Sequence, residues 1–202
     1  DTIEPPSAGS ERQLLMLLEG LDRSRFEPTL CVLRNSDWIE REFGLCPVRE
    51  LGVASFKSLR SLSAVLRFGA WLRRERVDVL QVHFRDSSIA GVAASILAPR
   101  TAVAAGRKSQ GYWMRPGDML LTRILNLGVD VFVANSRDTA GWVERTEKVP
   151  AGKIRVIHNG IDLPESAPDG AASARARAAL GALGDAPVIG IVANLRPVKR
   201  VD

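Results

Sequence analysis

The segment VDVLQVH (77–83) is a short apolar run that ends in a histidine. It follows a long stretch with helical periodicity (58–76) and precedes a segment of small residues (86–97) that also favours a helix. A strand between two helices is typical of a β-α-β unit, in which the strands are parallel. A later run, DVFVA (130–134), lacks the polar alternation of a half-exposed strand, which indicates a sheet covered on both faces.

The same alternation of short apolar runs with longer helical stretches continues along most of the chain. It predicts strands at 28–33, 47–51, 77–82, 101–105, 130–134 and 153–157, and helices at 11–21, 58–76, 86–97, 119–127 and 136–147. Together these elements predict an α/β domain with a doubly wound, Rossmann-like parallel sheet over residues 1–163. Residues 164–186, with an Ala/Arg-rich helix at 171–183, are predicted to be a linker. The apolar strand at 187–193 predicts that residues 187–202 begin a second α/β domain.

The overall composition is that of a globular protein. The chain has 202 residues, a formal net charge of +5 and 46% hydrophobic residues. No apolar run approaches the roughly 18 residues that span a bilayer, and no signal-peptide pattern is present. We therefore expect a cytoplasmic protein. Cys31 and Cys46 lack metal-like spacing, so we expect reduced thiols.

The positive charge is concentrated in residues 57–76, which hold six basic residues and one acidic residue. Helical spacing places one group of side chains together, namely Leu59, Leu62, Val65, Leu66, Gly69 and Leu72, and places Arg60, Arg67 and Arg74 elsewhere. The segment is either a helix that packs on the sheet and exposes its arginines to solvent, or a contact for anionic lipid headgroups. Charges elsewhere nearly cancel, so nucleic-acid binding is not predicted.

Candidate ligand-binding residues follow the predicted strands, because open parallel sheets bind ligands outside the carboxyl ends of their strands. They are histidine, basic, aromatic and hydroxyl side chains: His83, Arg85, Arg107, Lys108, Tyr112, Trp113 and Ser136. Basic and aromatic side chains on a glycine-containing loop suit an anionic or sugar-like ligand. A packed or surface histidine, a solvated loop and a helix N-cap are the structural alternatives. Similarly, the loop at 5–10 either receives a phosphate at the N-terminus of the following helix or is a plain turn.

Several segments together resemble the retaining GT-B glycosyltransferases of the large group 1, family four class. The segment AGSERQLL (8–15) resembles the opening motif of that family, and VDVLQVH (77–83) resembles its strand that ends in histidine. The segments ANS (134–136), KIRVIHNGID (153–162) and IVANLRPVK (191–199) are similar to further family signatures in the same order. The resemblance extends over nearly the whole chain.

This resemblance implies an enzyme with two Rossmann-like domains, of which the first binds the acceptor and the second binds a nucleotide-diphosphate-sugar. The implied reaction transfers the sugar to a lipid-linked or saccharide acceptor with retention, and needs neither a protein nucleophile nor a metal or cofactor besides the donor substrate. By the same resemblance, His83 is a catalytic residue near the transferred sugar, and Gly9 and Lys199 lie near the donor diphosphate. Asn159, Gly160 and Asp162 are implied to form the hinge between the domains.

The sequence departs from the family pattern at three positions. Ala8 replaces the first glycine of the opening pair, His158 replaces the proline before Asn-Gly, and Asn194 replaces an arginine that contacts the diphosphate. We therefore expect Asn194 or Arg196 to make the diphosphate contact. The paired glutamates that bind the donor do not occur in these residues, so we expect the chain alone to be inactive.

The alternative function is a non-catalytic GT-B-like module that binds an acceptor or a membrane. A nucleotide-binding oxidoreductase is disfavoured because the G-x-G-x-x-G fingerprint is absent. For either reading the basic segment leads us to expect peripheral association with an anionic membrane surface, at the inner face of the membrane.

Overall fold

The computed structural model describes residues 9–56, 58–111, 114–163, 169–182 and 187–191. The chain divides into two compact units, Asp1–Gly160 and Ile161–Asp202. The first unit contains the sheets and most of the helices.

The strands of the first unit form two parallel sheets. In one, β1 (Leu30–Val32) pairs with β2 (Val48–Glu50). In the other, four parallel strands lie side by side in chain order: β3 (Val79–Val82), β4 (Ala102–Arg107), β5 (Val131–Ala134) and β6 (Ile154–Val156). The predicted Rossmann-like parallel α/β fold is therefore confirmed, and each predicted strand of this unit is present. All are shorter than predicted except β4, which extends two residues further, to Arg107.

Helices alternate with these strands, as the sequence predicts. They are α1 (Gly9–Gly20), α2 (Asp37–Glu42), α3 (Leu59–Arg74), α4 (Arg85–Ser95), α5 (Pro116–Asn126) and α6 (Arg137–Thr146), and a short 3-10 turn at Ala151–Lys153 precedes β6. The sequence reasoning missed α2, whose N-cap Ser36 accepts a hydrogen bond from the Ile39 amide. It also began α5 three residues late, because Pro116 opens that helix and the Asp118 carboxylate accepts from the Arg115 amide.

Helix α3 connects the two sheets through a shared apolar core. Phe68 and Leu72 of α3 pack in one cluster with Leu33 and Val53 beside the first sheet and with Ala94 of α4. The grouping of α3 leucines predicted from spacing is half wrong. Residues such as Val65 and Leu72 are buried, whereas Leu59, Leu62 and Leu66 are exposed. The other buried residues of α3 are Ser61, Ala64 and Phe68, so the buried face of the helix is rotated away from the predicted one.

The second unit contributes α7 (Gly170–Ala179), which agrees with the predicted Ala/Arg-rich helix and is capped by Asp169. Residues 187–191, predicted to begin a strand, have no strand assignment, because none of the described residues pairs with them. Residues 192 and 193 lie outside the described ranges.

Cys31 and Cys46 are both free and half-buried. Burial raises the pKa of the Cys31 thiol to about 11, which keeps it protonated at neutral pH. In the part of the chain that the structure describes, no helix combines the length and apolarity needed to cross a bilayer.

Candidate functional site

The carboxyl ends of four parallel strands meet at one edge of the larger sheet. His83 follows β3, Lys108 follows β4, Asn135 follows β5, and His158 follows β6 after one residue. The N-terminus of α1 reaches the same edge, because the Lys108 Nζ donates a hydrogen bond of 3.1 Å to the carbonyl oxygen of Ser10. This is the position at which parallel α/β sheets bind their ligands.

His83 follows β3, the outermost of the four strands, and its half-buried ring has a buried Nδ1 atom. An ideal Cβ on Gly106 of β4 would lie 3.5 Å from the His83 Nδ1, an ordinary van der Waals distance, so Gly106 packs directly against the ring. Burial, with a smaller contribution from the positive charge of Lys108, lowers the pKa of His83 to about 4. His83 is therefore neutral at pH 7, and its buried Nδ1 has no hydrogen-bond partner among the described residues.

Lys108 and Glu11 bring opposite charges to the same place. Burial lowers the pKa of Lys108, and the negative charge of Glu11 partly opposes that shift. One carboxylate oxygen of Glu11, Oε2, is buried and lacks a hydrogen-bond partner among the described residues. The sequence reasoning considered Glu11 only as a favourable charge at a helix N-terminus. The signal for more was its place inside the segment 8–15, directly after the glycine-containing loop.

Asn135 completes the group and was also missed as a site residue. Its side-chain Nδ2 donates a hydrogen bond of 3.3 Å to the Lys108 carbonyl oxygen, and its backbone N–H donates one of 3.2 Å to the Arg107 carbonyl oxygen. Its Oδ1 is buried and unpaired among the described residues. Buried polar atoms normally have partners. Three unpaired ones around Lys108, from Glu11, His83 and Asn135, therefore indicate a polar binding site.

Arg107 lies next to this group but belongs to an internal network. Its Nε donates to both carboxylate oxygens of Glu147 at 2.9 and 3.0 Å, and its Nη2 donates 2.8 Å to the Asn126 Oδ1. The Glu147 side chain is fully buried, and the Asn126 Nδ2 donates to it at 2.9 Å. These bonds occupy the guanidinium and stabilise the packing of α5 and α6 on β4. We therefore leave Arg107 out of the binding site for which its sequence position made it a candidate.

Arg85 and Ser136 likewise have structural partners. Arg85 forms ion pairs with Asp86 at 3.0 Å and with Asp118 at 2.6 Å, and joins the starts of α4 and α5. The Ser136 Oγ accepts the Thr139 amide at 3.0 Å, which confirms its interpretation as the N-cap of α6. None of these bonds places Arg85 or Ser136 next to the buried group around Lys108.

The loop after Lys108 is anchored on α6. The Gln110 side chain donates to the Asp138 carboxylate. Gly111 has a φ of +60°, and a Cβ there would lie 2.7 Å from the Trp142 ring, so both backbone and space require glycine. Tyr112 and Trp113, predicted on this loop, lie outside the described residues, as do Asn194, Arg196 and Lys199, predicted to contact the diphosphate.

The segment predicted to contain the hinge is attached to the first unit up to Gly160. The His158 Nδ1 lies 3.2 Å from the Asn135 carbonyl oxygen, and the Gln13 side chain bonds to the backbone of Gly160. Asp162 belongs to the second unit. Among the described residues, no group of three or more His, Cys, Asp or Glu side chains could hold a metal ion.

A family model supplies the identity of this architecture. The model for glycosyltransferase family 4 matches residues 7–165, a range that includes every helix and strand from α1 to β6. The chain belongs to glycosyltransferase family 4. This family 4 region contains Glu11, His83, Lys108 and Asn135.

Solved structures with the same fold include HepE of Anabaena and a glycosyltransferase from Rickettsia africae. HepE of Anabaena in complex with UDP-glucose is 16% identical with a TM-score of 0.65, and the match covers 90% of this chain and 48% of that one. HepE with UDP gives 17% identity, a TM-score of 0.67 and coverage of 86% and 47%. A glycosyltransferase from Rickettsia africae gives 13% identity, a TM-score of 0.56 and coverage of 89% and 46%. The family 4 chain therefore has the fold of the N-terminal half of GT-B glycosyltransferases and spans about half the length of these relatives. Comparison with curated protein sequences gives no match.

Proposed function

We propose that this chain is the acceptor-side part of a retaining glycosyltransferase, which transfers a sugar from a nucleotide-diphosphate-sugar to a lipid-linked or saccharide acceptor. The observation that carries the proposal is the group of buried polar atoms on Glu11, His83 and Asn135 around Lys108, which have no hydrogen-bond partner in the part of the chain that the structure describes. Family membership and the UDP-glucose complex of HepE support the reaction class and the donor class.

The chemistry of these atoms suits a hydroxyl-bearing ligand. Glu11 Oε2 and Asn135 Oδ1 are hydrogen-bond acceptors, so they pair best with the O–H donors of a sugar or polyol. Neutral His83 offers one donor and one acceptor, which suits a hydroxyl of the transferred sugar or of the acceptor. The charges of Lys108 and Glu11 offset each other, so this group of side chains favours a neutral hydroxyl group over a free phosphate.

The domain roles follow from the same proposal. Residues 1–163 are the proposed acceptor domain, residues 164–186 the linker, and residues 187–202 the start of the donor-binding domain. Gly9 lies near the donor diphosphate at the start of α1, where backbone amides and the helix dipole favour an anion. Asn194, Arg196 and Lys199 would supply further diphosphate contacts from the second domain.

Substitution of His83 tests the reaction. In the full-length enzyme, His83→Ala is expected to lower kcat by roughly a hundredfold, the usual cost of losing one hydrogen bond that strengthens in the transition state, with little change in donor KM. The measurement is sugar transfer from a UDP-sugar, with the anomeric configuration of the product read by NMR. Gln81→Ala, on the exposed side of the same strand, should retain full turnover.

Two results would contradict this proposal. Equal turnover of His83→Ala and the parent would remove His83 from the reaction, and an inverted product would remove retention. A neutral His83 also predicts no inflection of the parent's pH–rate profile near 6.5, the ordinary pKa of histidine. An enzyme in which all variants are inert toward every nucleotide-sugar would favour the non-catalytic alternative.

We further propose that α3 attaches the protein to an anionic membrane surface. Its exposed face carries Leu59, Leu62 and Leu66, which are 85%, 55% and 49% exposed. Arg60 and Arg67 are exposed on the same helix. A groove of about 420 Å³ beside its C-terminal half is lined by Ala70, Arg73, Arg74 and Leu97. Exposed leucines next to arginines are typical of a helix that lies in a lipid interface.

Vesicle binding tests this attachment. We expect the full-length protein to float with phosphatidylglycerol vesicles at low salt, to be released by high salt, and not to bind phosphatidylcholine vesicles. Substitution of Arg60, Arg67 and Arg74 by Gln should abolish flotation. The matched control replaces Arg25, Arg41 and Arg137 by Gln, which changes the net charge equally and should leave binding intact. Equal binding of the two triple variants would overturn the proposed role of α3.

A further inference from the structure

We infer that Gln13 is a positioning residue that fixes the point at which the chain leaves the first compact unit. The Gln13 Nε2 donates a hydrogen bond of 2.7 Å to the Gly160 carbonyl oxygen, and the Gln13 Oε1 accepts from the Gly160 amide at 3.0 Å. One side-chain amide therefore satisfies both backbone polar groups of a residue 147 positions away. Gly160 is the last residue of that unit.

The residues just before Gly160 are also attached to the first unit. The Ile157 amide donates 2.9 Å to the Ala134 carbonyl at the end of β5. The His158 Nδ1 lies 3.2 Å from the Asn135 carbonyl oxygen. The Gln13 contact thus belongs to a series of attachments along residues 157–160, and the second unit begins at Ile161.

The glycine itself does not explain this arrangement. Gly160 is not among the residues with positive φ, and a Cβ on it would make only an ordinary contact of 3.8 Å with the Met16 Cε. No special backbone freedom is therefore used at Gly160. The Asn-Gly turn, expected from sequence to be part of a hinge, is therefore attached to the first unit through the side chain of Gln13.

The chemistry of the amide makes Gln13 specific for this role. A glutamine offers one donor and one acceptor on adjacent atoms, which matches the carbonyl and the amide of a single residue. A glutamate of the same length keeps an acceptor for the Gly160 amide but opposes its carbonyl with a carboxylate oxygen. Methionine has a similar length and offers neither a strong donor nor a strong acceptor.

Hydrogen exchange of the Gly160 amide in the full-length protein tests this inference. We expect exchange roughly tenfold faster in Gln13→Met than in the parent and an intermediate rate in Gln13→Glu, because the two variants lose two bonds and one bond. The Ile157 amide, bonded to β5, should keep its parental rate in both variants. Glu19→Gln, on the exposed side of the same helix, is the matched control and should change neither amide.

Two results would overturn the inference. One is an unchanged Gly160 exchange rate in Gln13→Met. The other is an equal acceleration along all of α1, which would reduce the contact to general support of the helix. The exchange is measured without substrate, so its outcome is independent of whether the protein transfers a sugar.

Discussion

At the scale of one residue, Gly9 separates what the fold requires of a side chain from what ligand binding requires. An ideal Cβ on Gly9 would meet no described atom within 4 Å, and its φ is not positive. The first unit therefore has no steric need for glycine at this position. Gly20, at the other end of the same helix, is equally open. Among the described residues, the space beside Gly9 is therefore open to a molecule that approaches the helix from outside.

The substitution Gly9→Ala should therefore affect donor binding and not folding. In the full-length enzyme we expect the KM for the nucleotide-sugar to rise roughly tenfold or more, because the added methyl group would displace the diphosphate. The thermal midpoint should not fall, since alanine favours a helix over glycine. Gly20→Ala is the matched control and should leave the KM unchanged. The same KM for Gly9→Ala and the parent would separate Gly9 from the donor site.

His83 and Glu11 differ in how visible they were in the sequence. His83 could be predicted, because a histidine at the end of an apolar strand stands where parallel sheets bind ligands. The low pKa of His83 could not be predicted from the sequence. It depends on burial of the ring in the fold and on the positive charge of Lys108, which is distant in sequence. Glu11 and Asn135 became candidates only when three unpaired polar atoms were found around one lysine.

The Arg107 network shows at the scale of elements why local sequence misled. Its three members come from the end of β4, the end of α5 and the residue after α6. A basic residue after a strand has the same sequence pattern whether it binds a ligand or a buried carboxylate. Only the packing of α6 on the sheet places Glu147 beside Arg107. The guanidinium also lies over the Phe132 ring of β5, 5.2 Å from its centroid.

This network should contribute strongly to stability. Glu147→Gln is expected to lower the free energy of unfolding by roughly 3 kcal/mol, because it leaves a largely buried guanidinium without its charge partner. Denaturant unfolding of the protein measures the difference. Glu144→Gln, on the exposed side of α6, should change stability by less than about 0.5 kcal/mol. A loss of similar size in both variants would contradict the assignment of the buried pair.

The faces of α3 also depended on its neighbours. Spacing grouped Leu59, Leu62 and Leu66 with the core residues, because a helix that is rich in leucine has several plausible apolar stripes. Gly69 determines which stripe packs, since a Cβ there would lie 2.5 Å from the Ala94 carbonyl oxygen of α4. This close approach turns Phe68 and Leu72 inward and leaves the three leucines outside.

At the scale of the whole molecule, the order of elements was the most predictable property. Strand and helix periodicities differ over many residues, so each β-α step of the first unit was recognisable, and parallel pairing followed from the helical crossovers. The short α2 was missed because six residues show too little periodicity. The strand predicted at 187–193 had good apolar character, but a strand also needs a partner, which no local pattern supplies.

The bond between Gln13 and Gly160 also orders events in time. Ribosomes release the chain from its N-terminus, so α1 is made long before Gly160 exists. A contact across 147 residues cannot form until the larger sheet has been synthesised and paired, because Gly160 follows its last strand. Helix α1 is thus among the last elements of this unit to acquire its full set of partners, because one of them, Gly160, is made after every described strand of the larger sheet.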